Sequence, residues 1–257
     1  MSDFERAAAF EEAIRDSGTE RIVETRFGPA LFNETYRELW MLNVLRVERP
    51  GVAAAEEIAA EAERVQADLP HRRVLILGAD AGERLAPGFR ALGWKTDRFL
   101  FMVLKHPPKR AADTSIVREV DAAALGEIRE AIAREQLPEL TPAVLRQVRE
   151  AGALFLPPGP TRHFAVCVEG RVVSATDLFS DGRTAQVEEV ATLPEFRGRG
   201  YASAVIQRAV DEALAAGHDF VFLTADADDW PKELYRRLGF DEVGTEWAFL
   251  RTPAGPE

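Results

Sequence analysis

The sequence contains few residues that could form cross-links or bind metals. Its 257 residues include one cysteine, Cys167, and four scattered histidines. A single cysteine cannot form an intrachain disulfide, and no two histidines have the spacing of metal ligands, so we expect no metal site. Cys167 lies in the apolar run 164–168, and we predict that it is a small buried strand residue rather than a nucleophile.

Long hydrophobic runs and basic clusters are also missing. No apolar stretch approaches the roughly 18 residues of a membrane-spanning helix, and residues 1–6 do not start a signal peptide. We therefore expect no membrane partner and a cytoplasmic location. The formal net charge is -11, without a basic stripe, which argues against nucleic-acid binding. The excess of acidic residues is explained by solubility, and a second explanation is that it attracts cationic amine substrates.

The sequence does contain an internal repeat. Two segments, starting at His71 and His218, each run from an apolar strand through a helical stretch to a Leu-Gly-aromatic corner and a second strand. The corners are Leu92-Gly93-Trp94 and Leu238-Gly239-Phe240. Glycine tolerates the left-handed conformation that ends a helix at such a corner. The ordered agreement favours duplication over coincidence.

A polar, proline-bearing segment, 105–114, separates the two halves and predicts domains at 1–108 and 115–252. The second half reads β-α-α-β-β-β-α-β-α-β, an α+β fold with a mixed, mostly antiparallel sheet flanked by helices. Glu169-Gly170 and Asp181-Gly182 have the composition of hairpin turns. The predicted elements are strand 115–120, a helix from Asp121 to about 135, helix 142–150, strands 163–168, 172–179 and 185–192, helix 200–216, strand 220–225, helix 231–238 and strand 243–251.

Residues 187–203 contain the most informative pattern. An apolar strand and a short loop lead into a glycine-rich helix start. Gly198 and Gly200 leave backbone amides there open to a pyrophosphate, and Arg197 and Arg199 add positive charge.

This run, Arg-Gly-Arg-Gly-Tyr-Ala at 197–202, resembles the Arg/Gln-x-x-Gly-x-Gly/Ala signature of the GNAT superfamily of N-acyltransferases. Downstream, residues 234–240 resemble the Leu-Tyr-x-x-Leu-Gly-Phe corner of the same family. The resemblance covers about residues 115–252 and implies tandem GNAT-like domains, with acetyl-CoA as the acyl donor.

The resemblance also implies which residues contact the donor. Backbone groups of the strand would hold the pantetheine arm, and the glycine-rich turn would hold the pyrophosphate. In the family an Asn often stands seven residues before the conserved tyrosine, and Asp228 replaces it here, which puts one polar contact in doubt. The implied cofactor-binding residues are Val190, Ala191, Thr192, Arg197, Gly198, Arg199, Gly200, Tyr201, Ala202, Ser203 and Asp228.

Acyl transfer requires a neutral amine, and a lysine-like amine has a pKa near ~10.4, so a base must remove a proton. Strand alternation predicts Gln186, Glu188, Val190 and Thr192 on one face. We predict Glu188 as the general base, with Glu189 or a water relay as alternatives. By resemblance, Tyr235 would protonate the departing thiolate.

The N-terminal half departs from this pattern. Its corresponding stretch, 46–55, keeps one glycine, Gly51, and contains Pro50, which lacks an amide donor. The half also lacks the early helices. We predict a shortened, cofactor-free GNAT-like domain with a structural or substrate-shaping role.

Two other functions remain as alternatives. Gly198, Gly200 and Ser203 loosely mimic a dinucleotide-binding fingerprint, but that motif needs its first glycine directly after the strand, and residues 193–197 intervene. The second alternative is a sensor that binds acetyl-CoA but catalyses no transfer. The acceptor, a small-molecule or protein amine, is not identified by the sequence, and neither are the acyl length and the oligomeric state, for which a homodimer is one option. Trp230-Pro231 predicts a helix start, with a substrate wall as the alternative.

Overall fold

The computed structural model describes residues 1–136, 157 and 159–252. The strands are β1 (Arg21–Glu24), β2 (Pro29–Phe32), β3 (Val44–Val47), β4 (Arg72–Leu77), β5 (Lys95–Leu104), β6 (Val117–Val120), β7 (Arg162–Val168), β8 (Arg171–Ser180), β9 (Thr184–Thr192), β10 (Phe220–Asp226) and β11 (Phe240–Arg251). The α-helices are α1 (Asp3–Ser17), α2 (Ala55–Val65), α3 (Ala79–Ala91), α4 (Gly126–Gln136), α5 (Tyr201–Ala215) and α6 (Pro231–Arg237).

The predicted elements of the C-terminal half are confirmed wherever the structure describes them, except that the strand predicted at 115–120 begins at Val117, after a 3-10 turn at Thr114–Ile116. The predicted turns join β7 to β8 and β8 to β9 in antiparallel hairpins. The helix after Asp121 begins through a short 3-10 turn, and the Asp121 side chain makes no capping hydrogen bond. The predicted helix 142–150 lies outside the described residues.

The strands form one sheet in the order β1-β2-β3-β4-β11-β5-β10-β9-β8-β7-β6. Only the β3/β4 and β9/β10 pairs of this sheet are parallel, so the described sheet is mixed and mostly antiparallel. The two repeats are β4-α3-β5 and β10-α6-β11. Gly93 and Gly239 have φ angles of 79° and 99°, so the left-handed corners predicted after α3 and α6 are confirmed.

The last strands of the two repeats are exchanged. β11 pairs with β4 on one side and β5 on the other, and β5 pairs in turn with β10. Each half of the sheet is therefore completed by a strand from the other half. The boundary at 105–114 stays a prediction, and backbone hydrogen bonds cross between the halves on both sides of it.

Side chains follow the same exchange. From β11, Trp247 and Phe249 enter the N-terminal core, where the Phe249 ring stacks on Phe89 of α3 at a centroid distance of 4.0 Å. Gly82 of α3 makes room for Trp247, because a Cβ there would lie 1.9 Å from the indole. In return, Leu100 and Met102 of β5 pack in the C-terminal core.

Helix α1 covers the centre of the sheet. Ser2 and Glu5 form a capping box at its start. Its Phe4 ring meets Phe101 of β5 edge-on at 5.4 Å, and Phe10 meets Phe222 of β10 at 5.6 Å. The helix therefore packs on strands from both halves.

The prediction that Cys167 is buried is wrong, because the residue is exposed. Val166 and Val168 of β7 pack in the C-terminal core, so strand alternation turns Cys167 to the other face of the strand. An apolar run, on which the prediction relied, does not by itself show which face of a strand is covered. Within the described residues, no helix combines the length and hydrophobicity needed to cross a bilayer.

We expect Trp247→Ala to lower the free energy of unfolding by about 3–5 kcal/mol, the usual cost of deleting a large buried aromatic side chain. Because β11 belongs to both sheet halves, calorimetry should show one unfolding transition at a lower temperature. The control Leu214→Ala removes a half-exposed side chain and should change stability by less than about 0.5 kcal/mol. Two separate transitions, with only one displaced, would contradict coupling of the halves.

Candidate active site

The parallel strands β9 and β10 separate after a short ladder. They pair only from Thr184 to Gln186 and from Phe220 to Phe222. Beyond that point β9 pairs with β8 alone, and β10 pairs with β5. Among the described residues, the edge of β9 from Val187 to Thr192 consequently has no ladder partner on the β10 side. Unpaired backbone groups of this kind can hydrogen-bond to an extended ligand that carries amides.

A β-bulge interrupts β9 within this edge. Glu189 has a φ of 53°, and the register with β8 shifts between Ala175 and Asp177. Val190 consequently packs against the same core as Val187. The prediction that Val190 shares a face with Glu188 is therefore wrong, because the bulge adds one residue to the alternation.

The glycine-rich turn presents free backbone donors. Gly198 and Gly200 have φ angles of 73° and 83°, and Gly200 is the N-cap of α5 without a side-chain cap. Within the described part of the chain, none of the backbone amides from Gly198 to Ser203 donates a hydrogen bond. Free amides at the positive end of a helix dipole form an anion-binding site.

The two arginines of this turn are engaged by protein groups. Arg197 forms a bidentate ion pair with Glu135 of α4 at 2.8 and 2.6 Å, and its Nε donates to the Thr192 carbonyl at 3.1 Å. Arg199 donates to the Glu195 carbonyl at 3.1 Å. The free donors of this turn are thus backbone amides, with the guanidinium charges nearby. No local pattern in the sequence indicated Glu135, since it lies 62 residues before Arg197 in the chain.

Glu188 lies where β9 and β10 begin to separate. Its Oε1 accepts hydrogen bonds from Gln186 Nε2 at 2.7 Å and from Thr224 Oγ1 of β10 at 3.2 Å. Burial raises the pKa of this carboxyl well above its usual value, and the nearby carboxylates Glu11 and Glu189 raise it further. A base with a raised pKa is suited to proton transfer near neutral pH.

Glu189 occupies a different environment from its neighbour. Glu189 is exposed to solvent as a whole residue. The protein around its carboxylate nevertheless raises the pKa of that group through desolvation; the charge of Asp177 raises this pKa further, and the charge of Arg129 lowers it. Asp177 is itself buried and bonded to Arg129 and to His163 Nδ1, the latter at 2.7 Å. Glu188 and Glu189 therefore have different charged neighbours, although they are adjacent in sequence.

Tyr235 is buried on α6 against the C-terminal core. Burial raises the pKa of its hydroxyl, and the charges of Glu188 and Asp229 raise it further. The hydroxyl therefore stays protonated across the neutral range and can donate a hydrogen bond. Its electrostatic interaction with Glu188 brings the predicted acid and base into one site.

The gap between β9 and β10 beyond Gln186 and Phe222 is called the cleft, and the turn from β10 to α6 follows β10 at the end where the strands have separated. Asp228 is exposed there, and its amide donates to Asp226 Oδ1 at 2.8 Å. Trp230 is 59% exposed, and Pro231 is the first residue of α6, which confirms the predicted helix start.

The equivalent turn of the N-terminal half is closed by protein contacts. Arg84 of α3 donates to the carbonyls of Gly51 at 3.0 Å and Ala53 at 2.7 Å. A Cβ at Gly88 would lie 2.6 Å from the Cβ of Ala55, so α2 and α3 are in close contact. That this half binds no cofactor stays a prediction, which these contacts support.

Comparison with known proteins agrees with the motifs. Residues 125–240 match the sequence family described as Acetyltransferase (GNAT) family. An uncharacterized N-acetyltransferase of Methanocaldococcus jannaschii is 35% identical over 68 residues, which are 26% of this chain and 30% of that protein. The match thus spans about a third of the length of this curated relative.

Solved structures share the fold over most of the chain. A functionally unknown conserved protein from Staphylococcus epidermidis has a TM-score of 0.67 at 16% identity, covering 91% of this chain and 94% of that one. A GCN5-related N-acetyltransferase from Kribbella flavida has a TM-score of 0.61 at 19% identity, covering 97% and 95%. A tandem GNAT protein from the clavulanic acid biosynthesis pathway has a TM-score of 0.55 at 13% identity, covering 92% and 83%.

At these identities the solved structures establish the fold alone, and the similarity to a sequence family rests on residues 125–240, less than half of the chain. These residues are similar to the GNAT family of acetyltransferases, and the chain has a duplicated GNAT fold.

Proposed function

We propose that this protein transfers an acetyl group from acetyl-CoA to a primary amine. The observation that carries the proposal is the row of free backbone amides from Gly198 to Ser203, next to the unpaired edge of β9. The amides suit the diphosphate of the donor. The β9 edge suits the two amide groups of its pantetheine arm.

The chemistry would use Glu188 and Tyr235. The acceptor nitrogen forms a bond to the thioester carbonyl carbon while the carbon–sulfur bond breaks, and the sulfur leaves as a thiolate. Glu188 accepts the proton that the ammonium form of the amine must lose. Tyr235 donates its proton to the sulfur, since its raised pKa keeps the hydroxyl protonated. The nitrogen loses its second proton as the amide forms, and this proton restores the Tyr235 hydroxyl, so the products are the N-acetyl amide and the free thiol.

Charge supports an amine acceptor. The charge of Glu189 acts on Glu188 and that of Asp229 acts on Tyr235, and the protein carries a formal net charge of -11. An acidic site raises the local concentration of a cationic substrate. The proposal covers both small-molecule amines and protein amines.

The deciding experiment combines calorimetry with a turnover assay. Acetyl-CoA should bind the full chain, and a panel of primary amines, including amino acids, polyamines, aminoglycosides and lysine peptides, should release free thiol with at least one member. Tight binding without thiol release for every amine would favour the acetyl-CoA sensor. Absence of acetyl-CoA binding would overturn the donor site itself.

We expect Gly200→Glu to weaken acetyl-CoA binding by about 100-fold or more, equivalent to about 2.7 kcal/mol. The added carboxylate would lie beside the free amides and repel the diphosphate. Gly182→Glu is a matched control, since Gly182 has a φ of 89° against 83° for Gly200 and both positions have open space around a Cβ. Equal calorimetric affinities for wild type and Gly200→Glu would contradict the anion site.

Glu188→Gln should reduce turnover by about 100-fold or more, because the amide cannot accept the proton. Wild-type turnover should rise with pH through a value above the usual ~4.3 of a glutamate, since only the ionised carboxylate acts as base. Glu189→Gln is the neighbouring control and should retain this rising limb. Loss of the limb in Glu189→Gln alone would transfer the role to Glu189.

Stability provides a second measurement on Glu188→Gln. The raised pKa means that folded Glu188 holds its proton more tightly than the unfolded chain does, so wild-type stability falls as pH rises from the ordinary glutamate pKa through the folded one. The neutral variant avoids this loss. Its melting temperature should therefore exceed that of wild type increasingly towards high pH, and a constant difference would contradict the raised pKa.

Tyr235→Phe should lower turnover by about 10- to 100-fold and leave acetyl-CoA affinity unchanged, because the ring remains while the proton donor is lost. Turnover and calorimetry should be compared with Tyr36→Phe, which lies in the N-terminal half. Unchanged turnover would remove Tyr235 as the acid.

A further inference from the structure

Helix α1, at the start of the chain, is joined to the strands that line the cleft. Arg6 donates to Thr184 Oγ1 at 3.0 Å, at the first residue of β9, and also pairs with Asp219 beside β10. The edge-on contact of Phe10 with Phe222 fixes the same helix over β10. The next turn of α1 therefore lies over the point where β9 and β10 separate.

Glu11, on that turn, shares a hydrogen-bond donor with Glu188. Gln186 is buried, and its Nε2 donates to Glu188 Oε1 at 2.7 Å and also to Glu11 Oε1. Gln186 Oε1 is buried without a partner among the described residues. Two carboxylates need donors, so the amide turns its nitrogen towards them even though its oxygen stays unpaired.

We propose that Glu11 is a positioning residue for Glu188: through the shared amide of Gln186 it fixes the orientation of the base, and its charge controls the ionisation of that base. The proposal relies on the proposed function only in taking Glu188 as the base. It also gives the N-terminal half a part in the catalytic site, because α1 precedes the first repeat.

The surrounding charges determine the direction of the effect. Burial raises the pKa of Glu11, Arg15 lowers it, and Glu246 raises it. Arg15 is shared with Glu246 of β11, with an N–O distance of 3.4 Å, so it only partly compensates Glu11. The charged or titratable groups around the pair are Glu11 and Arg15 on α1, Arg73 on β4, Glu188 and Glu189 on β9, Glu246 on β11 and Tyr235 on α6.

Neutralising Glu11 should therefore make Glu188 easier to ionise. Like charges in a buried site disfavour each other's ionisation, and removing one lowers the pKa of the other. Glu11→Gln keeps the size of the side chain and an oxygen that can accept from Gln186 Nε2. The rising limb of turnover against pH should move to lower pH in this variant by roughly half a unit or more.

The control is Glu12→Gln, the same substitution one residue further along α1. Glu12 faces Arg46, whose Nε lies 3.8 Å from its carboxylate, and makes no contact with Gln186. Its pH profile and acetyl-CoA affinity should match wild type. Superimposable profiles for wild type and Glu11→Gln would overturn the proposal.

A measurement independent of turnover separates this proposal from the proposed function. In protein labelled with 13C at the glutamate carboxyl carbons, the Glu188 resonance, assigned by its loss in Glu188→Gln, should titrate at lower pH in Glu11→Gln than in wild type. An unchanged titration would overturn the coupling even if the enzyme is active. A displaced titration without turnover on any amine would retain the coupling and reject the transferase.

Gln186→Leu tests the role of the amide that donates to both Glu11 and Glu188. It removes the shared donor, so kcat should fall several-fold while the KM for acetyl-CoA stays unchanged, because the amides from Gly198 to Ser203 are untouched. Equal loss in kcat and in acetyl-CoA affinity would indicate general damage to the sheet and contradict a positioning role.

Discussion

The exchange of β5 and β11 between the two repeats is the constraint on which the rest of the structure depends. Each strand hydrogen-bonds to the other and to a strand of the opposite half, so the sheet is continuous. After β9 diverges, β10 stays in the sheet through its other edge, where β5 pairs with Phe222–Asp226. The cleft therefore depends on a strand that the N-terminal half supplies.

Within that cleft, binding groups come mainly from the backbone. Left-handed glycines expose the amides that begin α5, and the divergence of two parallel strands exposes the edge of β9. The arginines beside them are paired with protein groups, Arg197 most firmly with Glu135. Backbone donors fixed by secondary structure need no side-chain ordering when an anion binds, which lowers the entropic cost of binding.

The buried carboxylates near the cleft have a cost in stability. Glu188 and Glu11 are both held away from water with raised pKa values, and they share one amide donor. Apolar residues at these positions would make a more stable sheet, but they could not accept a proton. The ring contacts of Phe4 with Phe101 and of Phe10 with Phe222 hold α1, which carries Glu11, on the sheet.

The sequence alone determined the elements of the C-terminal half, the glycine corners and the glycine-rich turn that begins α5, because these follow from local periodicity and from the backbone freedom of glycine. The sequence also indicated the chemistry of Glu188 and Tyr235 through motifs that are contiguous in the chain. The tertiary structure decided the rest: Cys167 is exposed because its face of β7 is uncovered there, and the face of Val190 follows from a bulge, which forms only when strands pair. The strand exchange and the approach of Glu11 to Glu188 join residues far apart in sequence, and such contacts are selected by packing and burial over the whole sheet, which no local pattern records.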